Sequence, residues 1–286
     1  MEESIRMEQL KEVIRDVLAL SNDARADYME QHGELLLQQM LENIGSPDLA
    51  LRDQAIYSLF MELLVSNQLS SDTMDTLMKQ LATDAYLFYK MGDRMDDSVF
   101  TRSFSALWLA GLLRIDMMQP YLTEEAKSQL YNEATQFLQR EKDIRGYVDG
   151  KGWANAVAHT ADLLALMVRH DHFEVKYGVP ILQGIQSVFW KGQVLVDDEE
   201  ERLVEVVSAL IEVNFPEEVL SEWVEQVFDQ LHLYLMQRGY TREYFTARTM
   251  VLHFMKTLYF ALKYKQKYPQ LLSTVAHFIA KNFKVQ

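Results

Sequence analysis

Asp48-Leu-Ala-Leu-Arg52-Asp-Gln-Ala55-Ile-Tyr-Ser-Leu59-Phe-Met-Glu-Leu63-Leu64 decides the fold class. Ala55, Ile56, Leu59, Phe60, Leu63 and Leu64 recur at the i, i+3, i+4, i+7 spacing that places apolar side chains along one buried face of an α-helix. The preceding Gly45-Ser46-Pro47-Asp48 stops one helix and starts the next. Outward from this stretch the pattern recurs. Arg102, Arg202 and Arg248 each precede an apolar run, Phe104 to Leu113, Leu203 to Ile211 and Val251 to Leu262. The interval is roughly 50 residues, near the length of a helix-pair repeat. The missing member of the series falls where Lys151-Gly152-Trp153 is expected to open a further helix.

No stretch carries the period-2 alternation of a half-buried strand; Val194-Leu195-Val196 comes nearest. Helix starts are marked at Ser71-Asp72, at Thr123-Glu124-Glu125, at Pro216 and at Pro269, and Gly92 to Asp97 reads as a polar loop. About twelve helices in about five pairs are therefore expected in a single domain over 1–286. The arrangement expected is an all-α solenoid or α/α superhelix, because one helix pair cannot bury its apolar face without a neighbour. Asp48 to Ala55 resembles the opening of the second helix of a HEAT repeat, in which Asp and Arg bond between neighbouring repeats.

Composition sets limits on function. The chain has 286 residues, 49% hydrophobic and 24% charged, enough to bury a core. With no cysteine it has no disulfide, no thiolate metal site and no cysteine nucleophile. The net charge of -14 argues against a nucleic-acid partner, which needs clustered Lys and Arg; Lys263, Lys265 and Lys267 read as an exposed helix end. The N-terminal stretch Met1 to Leu18 lacks the pattern of a signal peptide, and no apolar run is long enough to span a membrane. A cytoplasmic protein without a membrane partner is expected. No phosphate-binding or dinucleotide motif is present, so no cofactor is expected.

The segment Asp143 to Trp153 holds three of the eleven glycines, interleaved with Asp143, Arg145, Asp149 and Lys151. Glycine lets backbone approach a ligand closely, so this loop is a candidate binding element. On the helix that follows, Ala158, Ala161, Leu164, Ala165 and Val168 fall within about −20° to 100° and form a core stripe, counting from Val157. Asn155, His159, Asp162 and Arg169 fall at about 120° to 200°, a polar stripe expected to lie opposite the core. His159 and Asp162 are the candidate acid/base pair. Arg102, Asp143, Arg145, Lys151, Trp153 and Asn155 are candidate ligand contacts, although tryptophans such as Trp153 and Trp190 are more often core. Arg145, His159 and Asp162 are expected to converge on one concavity. A metal site at His170 and His172 competes with simple helix-end histidines, and Asp197 to Glu201 reads as a charged helix start rather than a calcium site. No metal is assigned.

Arg145-Gly-Tyr-Val-Asp-Gly-Lys-Gly-Trp-Ala-Asn-Ala-Val-Ala-His159-Thr-Ala-Asp162-Leu-Leu resembles the signature of a bacterial family known as domain of unknown function 2785, found in Gram-positive bacteria. Val99 to Leu107 and Ala247 to Phe254 resemble the same family. The resemblance implies a helical-repeat fold and no established activity. In the family's pattern position 155 carries histidine, so Asn155 removes one ligand of a two-histidine metal site. The functional expectation is a binding module presenting a polar concave site to a peptide, a protein or a small ligand. The alternative is an enzyme of unknown reaction using His159 with Asp162.

Overall fold

The computed structural model describes residues 2–283, with the side chains of residues 7–282. The chain is all-helical. Its helices are α1 (Glu2–Ala19), α2 (Asn22–Glu42), α3 (Ser58–Val65), α4 (Ser71–Leu81), α5 (Ser98–Met118), α6 (Glu124–Arg140), α7 (Ala156–Arg169), α8 (Gly178–Val188), α9 (Glu199–Glu212), α10 (Glu217–Arg238), α11 (Arg242–Lys265) and α12 (Pro269–Phe283). The segment Ala50–Tyr57 winds with π spacing and runs directly into α3, so Ala50 to Val65 is one continuous helical rod.

The boundaries follow from local chemistry. Ser70, Thr123 and Thr241 are N-caps whose hydroxyls accept the N–H of Thr73, Ala126 and Tyr244. Glu124 and Glu125 sit in the first turn of α6, where the helix dipole favours negative charge. Pro216 precedes α10 and Pro269 begins α12, positions that need no amide hydrogen.

Alternate helices pack on one another in chain order. One row runs α3, α5, α7, α9, α11, and a second contains α4, α6 and α8, with α10 against α12. The apolar faces merge into a continuous core that includes Ile14, Leu59, Phe60, Trp108, Leu164 and Phe254. At the first turn of the row the Phe60 and Trp108 rings stack with centroids 3.8 Å apart.

Two expectations are corrected. Lys151-Gly152-Trp153 does not open a helix. Tyr147–Val148 and Gly152–Trp153 form a short antiparallel hairpin, and α7 starts at Ala156. Gly150 (φ +73°), Gly152 (φ +82°) and Asn155 (φ 53°) all take left-handed backbone, which a right-handed helix cannot contain. Val194 to Val196, which came nearest to strand alternation, is extended coil with Leu195 buried, in line with the expectation of no strand there. The Asp48–Arg52 pattern does not bond as a HEAT pair would. Asp48 caps its own helix through the N–H groups of Ala50 and Leu51 and accepts Lys11 Nζ at 2.9 Å.

Candidate functional site

The charged residues singled out in the sequence are held mainly by partners within the fold. Arg102 is wholly buried in α5; its Nε and Nη2 donate to both oxygens of Glu141, at 2.6 and 3.0 Å, and Nη1 donates to the Tyr89 carbonyl and the Ser98 hydroxyl. Arg145 is gripped by Asp143, with Nη2 at 2.6 Å from Oδ2, and also donates to the Asp96 carbonyl. Lys151 Nζ lies 2.7 Å from both carboxylate oxygens of Asp97. These three cations are neutralised locally. Arg102 and Asp143 are structural residues, and neither presents an open face to a ligand.

Arg52 explains why the loop is rich in glycine. Its guanidinium, fully buried, lies over the Phe100 ring at 4.2 Å and the Phe104 ring at 4.9 Å. It donates to the Ser46 carbonyl and, 99 residues away, to the Lys151 carbonyl, each at 2.8 Å. A side chain on Gly152 would meet Leu49 Cδ1 at 2.7 Å and Arg52 Nη2 at 3.3 Å. The glycine therefore brings hairpin backbone onto an arginine of the same chain rather than onto a ligand.

Helix α7 differs most from expectation. It is flanked by α5 and α9 along one row and touches α6, so it is buried nearly all round. The stripe of Asn155, His159, Asp162 and Arg169 is half-buried between neighbours, not a solvated face opposite the core. His159 packs edge-on against Phe104 at 5.6 Å, and its Nδ1 is 2.8 Å from Ser103 Oγ. The Ser103 hydroxyl hydrogen goes to the Ala154 carbonyl, so Nδ1 carries the proton and donates to Oγ. Burial, with Arg202 and Arg52 nearby, depresses the His159 pKa to about 4, against the ordinary 6.5. Asp162 does not face His159; it receives Arg202 Nη1 at 2.7 and 2.8 Å. The expected acid/base pair is not assembled, and a histidine with so low a pKa is a weak base at neutral pH. Asn155 supplies the left-handed residue before α7, and its Oδ1 is buried without a partner among the described residues.

Asp162 instead lines a cavity of about 350 Å³ between α3, α5, α7 and α9. Met61, Leu107, Ala110 and Leu166 contribute apolar wall, and Tyr57 and Arg114 contribute polar groups that the sequence reading missed. Asp162–Arg202 and Arg169 with Glu205 and Glu212 close as ion pairs around it. Arg169 and, next, Lys265 hold the carboxyl of nearby Glu212 down to about 2. Arg114 is different: it is exposed and has no hydrogen-bond or ion-pair partner among the described residues. The Tyr57 hydroxyl likewise has none, and burial raises its pKa, opposed by Arg114 and reinforced by Asp162, so it stays a neutral donor. Arg114 was legible in outline, because Leu107, Ala110, Gly111 and Arg114 follow the i, i+3, i+4, i+7 rule. What the spacing leaves open is whether the last position meets a carboxylate.

Arg145 lines a second cavity, about 610 Å³, with Tyr147, Asp197, Glu199 and Arg242. Asp197 Oδ2 accepts the Tyr147 N–H at 3.3 Å, and buried Glu199 accepts the Asp197 N–H at 2.8 Å. Burial, with Asp197 adding to it, raises the Glu199 carboxyl. A Cβ at Gly146 would fall 2.0 Å from Asp197 Oδ2, so this glycine too serves the chain's own carboxylates. Arg145 and Asp162 thus line separate cavities, and His159 lines neither; the three do not converge. Trp153 is not core. It is 41% exposed and meets Tyr147, 53% exposed, edge-to-face at 5.1 Å on the outer side of the hairpin. Trp190 is half-buried against Tyr234.

His170 and His172 are engaged by partners within the fold. His170 Nε2 lies 2.9 Å from Asp116 Oδ2, while its Nδ1 accepts the His172 N–H at 3.0 Å. Asp116 also accepts the N–H groups of Tyr121 and Leu122, so the pair ties the ends of α5 and α7 to the start of α6. Among the described residues no group of three or more His, Asp or Glu is placed to hold a metal ion, and no helix is long and apolar enough to cross a membrane.

No curated protein and no solved structure matches the chain. A family model described as "Protein of unknown function (DUF2785)" matches residues 87–260, from the turn before α5 into α11. That span covers more than half of the chain and contains Arg102, the glycine-rich hairpin, all of α7 and Arg202; Arg52 and Tyr57 precede it. On this match the chain belongs to the DUF2785 family.

Proposed function

We propose that the protein is a non-catalytic binding module, an α-solenoid whose α3–α5–α7–α9 row takes a small anionic ligand, a carboxylate or a phosphate, in the 350 Å³ cavity. The observation that carries this reading is the unpaired Arg114 guanidinium beside the free Tyr57 hydroxyl, where every other cation on the wall is matched by a carboxylate. A guanidinium and a phenol are both hydrogen-bond donors, so the pair is complementary to an acceptor group with negative charge. The apolar wall would hold the ligand's carbon skeleton, as small-molecule sites commonly do. The separation of His159 from Asp162 favours binding over acid–base catalysis. The solenoid reading rests on the chain-order stacking of alternate helices.

The test is a thermal-shift and calorimetric screen with inorganic phosphate and a panel of mono- and dicarboxylates. A ligand at 100 times its Kd stabilises the native state by about 2.7 kcal/mol. Wild type should shift with at least one probe. Arg114→Ala should keep the unliganded melting temperature, since the side chain is exposed and unpaired, and lose the shift; Tyr57→Phe should weaken it. Equal shifts in wild type and Arg114→Ala would refute the assignment, as would a panel to which the wild type is indifferent.

A further inference from the structure

A third and larger concavity lies away from the family signature. α2 and α4 bound a groove of about 1320 Å³. On α2 the lining positions include Asp23, Ala26, Glu30, Gly33, Leu37 and Leu41, spaced three or four residues apart, so one face of the helix is turned to the groove along nearly its whole length. At 1.5 Å per residue, the 21 residues of α2 make a trough roughly 30 Å long. Its floor is apolar, with Met29, Leu37, Leu41 and Leu77. In the neighbouring row α4 packs on α6 and α6 on α8, whereas a trough separates α2 from α4.

The rim has one sign of charge. Asp23, Glu30, Glu34 and Glu42 of α2 and Asp72 of α4 line the groove, and no Lys or Arg does. Asp23, Glu30, Glu34 and Asp72 have no ion-pair partner among the described residues. Acids elsewhere are commonly matched, as Asp48 is by Lys11, Glu62 by Arg25 and Asp75 by Lys79. The groove wall also holds an unused acceptor. Gln68 Oε1 is buried without a partner, its Nε2 being anchored on the Asn22 carbonyl at 2.9 Å.

We infer that the α2–α4 groove docks a basic amphipathic helix of a partner protein. An α-helix is about 10–12 Å across with its side chains, and its apolar stripe would lie on the leucine and methionine floor. Lys or Arg on its flanks would meet the row of acids on α2 and Asp72 of α4, and one donor would satisfy Gln68. A second copy of this chain is a poor occupant, because each copy carries a net charge of -14. Acidic peptides, nucleic acid and anionic lipid surfaces are repelled by the same rim. The occupant is chosen by charge and shape together, and this surface is independent of the Arg114 cavity.

The test uses the full chain and fluorescence anisotropy with three labelled peptides of roughly five helical turns. The first is a lysine–leucine peptide with leucines at i, i+3, i+4 and i+7. The second has the same composition scrambled so that no apolar face exists, and the third replaces every lysine with glutamate. The first should bind, at least tenfold more tightly than the second, with affinity falling as salt rises; the third should not bind. Glu30→Lys with Glu34→Lys, both exposed, should weaken binding at least tenfold. Glu222→Lys with Glu225→Lys, exposed on α10 and outside the groove, makes the same change in net charge and should leave binding nearly intact. Equal weakening by both double variants would reduce the effect to overall charge and overturn the proposal. So would equal binding of the scrambled peptide, or failure of the first peptide to bind. None of these outcomes depends on Arg114.

Discussion

Arg102→Met separates a structural role from a ligand-binding one. Arg102 and Glu141 are 0% and 1% exposed at their side chains, and two charge-assisted hydrogen bonds join them. Methionine fills most of the volume but leaves the Glu141 carboxylate buried with only the N–H groups of Lys142 and Asp143, each at 2.8 Å. It also strips donors from the Tyr89 carbonyl and the Ser98 hydroxyl. Breaking a buried pair by removing one member costs about 3–5 kcal/mol. An unfolding entropy near 2.1 cal/mol/K per residue over 286 residues is about 600 cal/mol/K, so the loss corresponds to about 5–8 °C in melting temperature. The partner variant Glu141→Gln keeps an acceptor for the two backbone N–H groups. Combining it with Arg102→Met removes both charges and should restore part of the loss, giving a coupling of 1 kcal/mol or more. Urea unfolding followed by circular dichroism measures all four species. If Arg102→Met stays within about 0.5 kcal/mol of wild type, as surface substitutions do, the guanidinium is not a buried strut and the reasoning fails.

Two further expectations concern the signature motif. His159 has a depressed pKa, so its neutral form contributes stability that is fully present above the unfolded value of 6.5 and is lost as pH falls toward about 4. The full span is about 3 kcal/mol, reduced because the ring is partly exposed; urea titrations between pH 7 and 4 should show a shallower acid-side decline in His159→Gln, and parallel curves would refute the assignment. Gly152→Ala should destabilise by more than about 1 kcal/mol, because φ is +82° and the new methyl group meets Leu49, while Gly150→Ala, with the same sign of φ but open space around it, should cost less in the same thermal melts.

The helices were legible wherever apolar spacing and caps agree, as at Ala55 to Leu64, Thr123 and Pro269, because both signals are local. The hairpin was not. Gly150, Gly152 and Asn155 announce left-handed backbone only when their φ angles are known, and the approach that requires Gly152 comes from Leu49 and Arg52, about a hundred residues earlier. Likewise, several of the charged residues singled out in the sequence look available because their partners are remote, although Arg145 pairs with Asp143 two residues away. Glu141 lies 39 residues from Arg102, Asp97 54 residues from Lys151 and Arg202 40 residues from Asp162.

The polar stripe of α7 departs from a solvated face because of how the helices stack. A helix at the end of a row can turn polar residues to solvent, but α7 has α5 on one side and α9 on the other. An inner helix has neighbours over much of its circumference, so a polar stripe on it marks a half-buried seam where side chains of adjacent helices meet. At such a seam charges on adjacent helices come within reach and pair, although a pair that stays solvent-exposed is worth little in stability. Asp162 with Arg202 and Arg169 with Glu205 and Glu212 pair in this way, partly exposed to solvent. Polarity on an inner helix therefore carries little functional information until its partners are known, and a group left unmatched where a cavity opens carries much more. Arg114 and Tyr57, which no motif marks, are such groups, whereas His159, the most conspicuous titratable residue in the motif, is not.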